Sequence, residues 1–117
     1  MMSVSREWWI LVDRDGLIIA GEGRTREELE YFAAVLMFAI VGLRRAIKDE
    51  MDADISEISF KVPERGTIFH VLPVNSSPAM FLITAMPDDM PLGMVRLKTK
   101  EIYERARKFV NSLKPGR

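Results

Sequence analysis

The sequence predicts an α+β domain in which helices pack on an antiparallel sheet. Short strand-forming runs follow one another across tight turns, and two longer segments repeat apolar residues at helical spacing. The resulting order is β-β-α-β-β-β-α, in which hairpins dominate and the strands therefore pair antiparallel. A chain of 117 residues is the usual size of one domain, so we expect residues 1–117 to form a single domain.

The first two strands are predicted around the stretch ILVDRDGLIIAGEG, residues 10–23. Apolar runs at residues 8–12 and 17–20 flank an Asp-Arg-Asp-Gly segment, and an Asp-Gly pair between two such runs is a strong hairpin signal. Gly16 supplies the positive φ that the turn needs, and an Asp side chain accepts hydrogen bonds from the backbone that follows.

A long helix follows the hairpin. Thr25 and Glu28 have the spacing of a capping box, which predicts the helix start, and the apolar periodicity continues towards Met51. Between residues 31 and 43 the helix has no polar side chain. A helix that is apolar all round must be covered all round, whereas one small sheet covers a single face. We therefore predict that a protein interface covers its other face.

The second half of the chain contains three more strands and a final helix. In residues 55–62, Ile58, Phe60 and Val62 alternate with polar residues, so one face of this strand is predicted to be polar or exposed to solvent. Turns at residues 63–66 and 75–78 bound the next strand, residues 67–74. The nearly unbroken apolar run at residues 79–86 predicts a central strand.

The last helix is predicted to begin between Asp89 and Leu92 and to stop at residues 114–116, Lys-Pro-Gly. Its buried stripe is predicted to contain Ile102, Ala106, Phe109, Val110 and Leu113.

Composition excludes several classes of function. Seventeen basic and seventeen acidic residues balance, so the chain lacks the positive field of a nucleic-acid-binding protein. The absence of Cys excludes disulfides and thiol chemistry and is consistent with a cytoplasmic protein. The longest apolar run, residues 31–43, is shorter than the roughly 20 residues of a membrane span.

The two aspartates of the first turn raise the question of catalysis. Asp13 and Asp15 after an apolar run resemble the dyad of haloacid-dehalogenase-type phosphatases. Such enzymes need a βαβ crossover after the first strand, and here strand follows strand, which favours the turn role.

No other segment presents a site for catalysis, cofactors or metals. The segment 21–23, Gly-Glu-Gly, precedes a helix but lacks the phosphate-loop spacing. His70 is the only histidine and has no second ligand or nucleophile in the sequence. We expect a protein without catalytic residues, metal ligands or cofactors.

Three segments taken in order resemble the Roadblock family, the dynein light chains and their prokaryotic relatives that act with Ras-like GTPases. They are ILVDRDGLIIA at residues 10–20, the apolar helix after it, and PLGMVRLKTKEIYERARKF at residues 91–109. The resemblance covers the chain from residue 8 to about residue 110.

The resemblance implies a five-stranded antiparallel sheet with the long helix on one face and the C-terminal helix on the other. It also implies a homodimer, or a heterodimer with a paralogue, in which the long helices pack together and the third strands pair edge to edge. The implied function is non-enzymatic regulation or scaffolding of a small Ras-like GTPase. The interface positions that it implies are Phe32, Leu36, Phe38, Ile40 and Leu43 on the helix, and Ile58, Ser59 and Phe60 on the strand.

The chain departs from the family pattern at its N-terminus. Many members begin with a helix, whereas only residues 1–6 precede the first strand here, so we expect this helix to be absent or reduced. The sheet face that it covers should then be partly bare. Trp8 and Trp9 point to opposite faces, so one of them should lie on it. We hypothesise that this face accepts a helix from another protein or copy.

A second functional class stays open from the sequence. Antiparallel sheets with flanking helices also enclose ligand cavities, so the alternative is a small-molecule-binding sensory domain. A stable monomer with a buried, polar-lined cavity would favour that alternative.

Overall fold

The computed structural model describes residues 6–113 and has the predicted element order in that part of the chain. The elements are β1 (Trp8–Asp13), β2 (Ile18–Glu22), α1 (Arg26–Met51), β3 (Ile58–Val62), β4 (Thr67–Ser76), β5 (Ala79–Pro87) and α2 (Leu92–Leu113). The predictions about an N-terminal helix and about the stop at residues 114–116 fall on residues 1–5 and 114–117, outside the described residues.

All five strands form one antiparallel sheet in the order β2-β1-β5-β4-β3. The apolar strand β5 lies at the centre, as its composition predicted, and Ile83 is paired with Ile10 on one side and Val71 on the other. β2 and β3 form the two edges. The α+β fold predicted from the sequence is thus confirmed.

The helix α1 covers one face of the sheet. Leu29, Ala33, Met37 and Ile40 of α1 are buried against alternate residues of β1, β4 and β5. Trp8 belongs to this core and its ring stacks on Phe32 with centroids 4.8 Å apart. Full burial of a Leu, Ile or Met side chain such as these stabilises the fold by about 1.5–3 kcal/mol.

The helix α2 covers the opposite face, where Ala106 and Val110 pack on Leu11 and Leu82. Because side chains alternate along a strand, β1 and β5 are buried on both faces. The predicted stripe of α2 needs correction at its end. Phe109 is 40% exposed and Leu113 is 52% exposed, whereas Val95, near the start of α2, is buried against Ile68 and Met86.

The turn between β1 and β2 confirms the structural role of the first aspartate. One carboxylate oxygen of Asp13, Oδ1, accepts the backbone N–H groups of Asp15 at 2.9 Å and Leu17 at 3.0 Å. Gly16 has φ +86°, in the left-handed region. Leu17 belongs to this turn rather than to the second strand, because its N–H bonds the carboxylate instead of a neighbouring strand.

Further strand boundaries differ from the prediction, most clearly those of β3 and β4. β3 begins at Ile58 rather than at residue 55, because α1 continues to Met51 and a connecting segment follows it. β4 continues to Ser76 and pairs with β5 up to Ala79, so the turn is shorter than the predicted segment 75–78. Across residues 6–113, neither long helix is sufficiently apolar to span a membrane.

Candidate protein interface on the long helix

The side of α1 that faces away from the sheet is apolar and uncovered. Tyr31 is 68% exposed, Val35 51% and Phe38 86%, while Ile40, on the sheet side, is only 4% exposed. We call this side the outer face of α1. Its members are Tyr31, Ala34, Val35, Phe38, Ala39, Gly42, Leu43 and Ala46, all exposed. A contiguous apolar surface of this kind is typical of an interaction site.

Small residues separate the large ones on the outer face of α1. A Cβ atom built on Gly42 would meet no atom of residues 6–113 within 4 Å, so none of these residues requires glycine there. Glycine inside a helix costs about 1 kcal/mol relative to alanine. A close approach by a second backbone is one reason for glycine at such a position.

The helix residues predicted at an interface lie on different sides of α1. Phe38 and Leu43 lie on the outer face of α1. Phe32 and Leu36 are half-buried and pack against the core at the edges of the helix. Ile40 points to the sheet, because it shares the sheet-facing side of the helix with Met37.

Tyr31, Val35 and Gly42 also lie on the outer face of α1, and the sequence did not predict them at an interface. With Phe38 they follow intervals of four, three and four residues, which is the spacing of a helix–helix seam. This spacing indicates one face of the helix. The sequence alone does not single out that face, because the neighbouring positions of the helix are apolar as well.

The strand residues predicted at the interface lie on the edge strand β3. Ile58 and Phe60 are half-buried on the α1 side, and Phe60 stacks on Phe69 with centroids 5.0 Å apart. Ser59 is exposed. β4 pairs with one edge of β3, and no strand among residues 6–113 pairs with the other. An open edge of this kind exposes unpaired N–H and C=O groups.

Polar side chains under α2 form a different kind of site. His70 is 8% exposed, its Nδ1 lies 3.2 Å from Glu57 Oε2, and its Nε2 has no hydrogen-bond partner among residues 6–113. His70 and Thr99 line a groove of about 650 Å³ between β3, β4 and α2. Within residues 6–113, no cluster of three or more His, Asp or Glu side chains is placed to hold a metal ion.

The two tryptophans point to opposite faces, as strand alternation predicted. Trp8 is buried under α1, and Trp9 is half-buried on the α2 side. Trp9 Nε1 donates to Glu22 Oε1 at 2.9 Å, and the guanidinium carbon of Arg105 lies 5.7 Å from the Trp9 ring centroid. Side chains from β2 and α2 therefore cover part of the face that we expected to be bare.

Comparison with known proteins identifies the fold. No family model matches the sequence, and no curated protein matches it. Among solved structures, a Roadblock/LC7 domain from Streptomyces avermitilis superposes with a TM-score of 0.74 at 15% identity, covering 92% of this chain and 87% of that one. Myxococcus xanthus MglB gives a TM-score of 0.74 at 19% identity, covering 93% and 85%.

A third structure, described as MglB with tetrameric arrangement, superposes with a TM-score of 0.73 at 18% identity and covers 92% of this chain and 79% of that one. Identities this low establish the shared fold, and the superposition extends over most of both chains. The protein has the Roadblock/LC7 fold.

Proposed function

We propose that this protein is a non-enzymatic, cytoplasmic homodimer, or a heterodimer with a paralogue, that binds, scaffolds or regulates a small Ras-like GTPase. The observation that carries the proposal is the outer face of α1, which is apolar and uncovered in a chain with the Roadblock/LC7 fold. Burial of such a face favours association because it removes apolar surface from water, and the entropy lost on association offsets part of that gain.

A symmetric contact suits the arrangement of large and small residues on this face. In a twofold dimer the same patch meets itself, so a large residue of one copy packs near a small residue of the other. Phe38 protrudes most, and Gly42 offers open space one turn later. The proposed helix interface is therefore centred on Tyr31, Val35, Phe38 and Gly42, with Leu43 at its edge and Ile40 left out.

The free edge of β3 supports a second element of the same dimer. Edge-to-edge pairing of two β3 strands would pair their exposed N–H and C=O groups and continue the sheet across both copies. In this arrangement Ser59 stands at the junction, while Ile58 and Phe60 extend the apolar core at its border. Both the helix and the strand would then bury surface that one chain leaves open.

The GTPase part of the proposal rests on the resemblance to the Roadblock family and on the shared fold. Its test is a binding experiment with the full chain as bait in an extract of the source organism. Any recovered GTPase is then purified and loaded with GDP or with a non-hydrolysable GTP analogue. Each loaded form of the GTPase is titrated with the protein. Saturable binding supports the proposal, and a difference between nucleotides indicates regulation. Failure of the purified GTPase to bind contradicts it.

The groove under α2 favours the second candidate function, a small-molecule-binding sensory domain. His70 Nε2 and Thr99 Oγ1 are buried there without partners, and a polar ligand or a water molecule could bond to them after a small opening of the groove. Light scattering separates the two candidates. A mass near twice the 13.4 kDa of one chain supports the dimeric module, whereas a stable monomer supports the sensory domain.

A further inference from the structure

Three arginines from three separate elements line one cleft at an end of the sheet. Arg14 comes from the β1–β2 turn, Arg44 from α1 and Arg107 from α2. The cleft also borders the β4–β5 hairpin and has a volume of about 590 Å³. We call it the arginine cleft. Its size is within the range of about 300–1,000 Å³ typical of small-molecule sites.

Among the residues that the structure describes, the positive charges of the arginine cleft have no acidic partner. None of the ion pairs within residues 6–113 includes Arg14, Arg44 or Arg107. In the described part of the chain no Asp or Glu lines the cleft, and the nearby Asp13 uses Oδ1 to bond the turn backbone. Because the whole chain has equal numbers of acidic and basic residues, three unpaired arginines at one place are a local excess.

Two of these arginines are held in place by neutral contacts. The guanidinium carbon of Arg44 lies 4.9 Å from the centroid of the Phe81 ring. Arg107 Nη1 donates to the Tyr103 hydroxyl at 3.4 Å. These contacts orient the side chains and leave other guanidinium N–H groups unused. A guanidinium that is already oriented loses less conformational entropy when it binds an anion.

The remaining polar groups of the arginine cleft are uncharged. Ser76 and Asn111 contribute a hydroxyl and an amide, and Asn75 donates its amide to Pro78 O at 2.8 Å within the hairpin. The lining is therefore rich in donors and has no negative charge. A single carboxylate would neutralise one of three guanidinium groups, whereas a phosphoryl group brings up to two charges and three acceptor oxygens.

We propose that the arginine cleft binds a small phosphorylated molecule through Arg14, Arg44 and Arg107. The site is separate from the outer face of α1, because Arg44 lies on the sheet-facing side of the helix, over Phe81, and Arg14 and Arg107 belong to other elements. Failure of the dimer or of GTPase binding would leave this proposal unchanged. The ligand class follows from the charge and donor pattern of the lining alone.

The test is a titration of the full chain with inorganic phosphate, pyrophosphate and tripolyphosphate at constant ionic strength. Amide NMR shifts and calorimetry monitor the binding. We expect saturable binding that strengthens with phosphate number, and shifts centred on the β1–β2 turn and the β4–β5 hairpin. Arg14→Gln and Arg107→Gln should each weaken binding about tenfold, because each removes a charge-assisted contact. Both positions are exposed, so the variants should fold like the wild type.

Arg45→Gln is the matched control. Arg45 is exposed, adjacent to Arg44 in the sequence and absent from the lining of the cleft. Unchanged affinity in this variant supports a defined site, whereas an equal loss shows diffuse attraction and overturns the proposal. Absence of saturable binding to all three phosphates also overturns it. Vesicles containing a phosphoinositide are titrated in parallel. Binding to the vesicles and to none of the three free phosphates also overturns the proposal, because the site would then belong to a membrane surface.

Discussion

Thr25 and Glu28 cap the start of α1 reciprocally. The Thr25 hydroxyl accepts the backbone N–H of Glu28 at 3.2 Å, and Glu28 Oε1 accepts the backbone N–H of Thr25 at 3.2 Å. The cap fixes the residue at which the helix begins. It supports the proposed interface indirectly, because it stabilises the helix on whose outer face Phe38 stands.

Replacement of Thr25 by alanine should lower the free energy of unfolding by about 1 kcal/mol, because an N-terminal N–H of α1 loses its acceptor. Urea unfolding followed by circular dichroism measures this loss. Thr25→Ser is the control, since it keeps the hydroxyl, and it should retain most of the stability. Equal losses in the two variants would argue that the Thr25 methyl group, and not the capping bond, matters.

The stability of the domain should depend on the charge of Glu28 in acid. Hydrogen bonds from the Thr25 backbone and side chain, with help from the Arg24 charge, lower the pKa of Glu28 from its usual 4.5. A lowered pKa contributes stability that is present above about pH 4.5 and is lost as the pH falls through the lower, folded-state pKa.

Glu28→Gln should therefore flatten the decline of the melting temperature at acid pH, with a small amplitude because the carboxylate is exposed. Melting curves recorded at several values of pH below neutrality measure the decline. Glu27→Gln, in the same helical turn, is the matched control and should keep the wild-type decline. The same decline in Glu28→Gln as in the wild type would show that the cap does not couple to protonation.

Phe38→Glu should yield monomers or insoluble protein, because it places a charge at the centre of the proposed helix interface. Multi-angle light scattering after size exclusion measures the mass. Phe109→Glu is the control, since Phe109 is also exposed but lies on α2. An unchanged dimer for Phe38→Glu would contradict the placement of the contact on the outer face of α1.

Gly42→Ala should raise the free energy of unfolding of the single chain and weaken its dimerisation. Within one chain the added methyl group meets no atom and should stabilise α1 by about 1 kcal/mol through helix propensity. Across the proposed interface the same methyl group should weaken dimerisation, because two backbones approach closely there. Sedimentation at several concentrations gives the dimer constant, and urea unfolding at concentrations far below that constant gives the stability of the single chain.

Gly93→Ala provides the comparison, since a Cβ there also meets no atom within 4 Å but lies at the start of α2. It should leave the dimer constant unchanged. Tighter dimers in Gly42→Ala would show that the glycine is not a point of close contact.

Asp13→Ala should lower the free energy of unfolding by about 1–3 kcal/mol, because two turn N–H groups lose their acceptor. Asp13→Asn keeps one side-chain oxygen and should be milder. Chemical denaturation measures both values. Identical stability of wild type and Asp13→Ala would contradict a structural role for the Asp13 carboxylate in the turn. It would reopen the question of catalysis by this aspartate.

Local features were predictable because their partners are close in the sequence. The turn at Asp13 and the cap at Thr25 each depend on bonds that span four residues or fewer. The central position of β5 was also predictable, since a strand that is apolar at nearly every position must be covered on both faces. The end of the α2 stripe was less predictable, because Phe109 and Val110 are neighbours and both apolar.

The sequence by itself determined the order of the elements, the turn at Asp13 and the start of α1, and it indicated that α1 needs a second cover. Only the tertiary structure decided that Phe38 faces outward while Ile40 faces the sheet. The physical reason is that a helix with apolar residues on every side carries no polar stripe to fix its rotation. Only the sheet order, likewise, brought Arg14, Arg44 and Arg107 to one cleft, because contacts between distant segments exist only after folding.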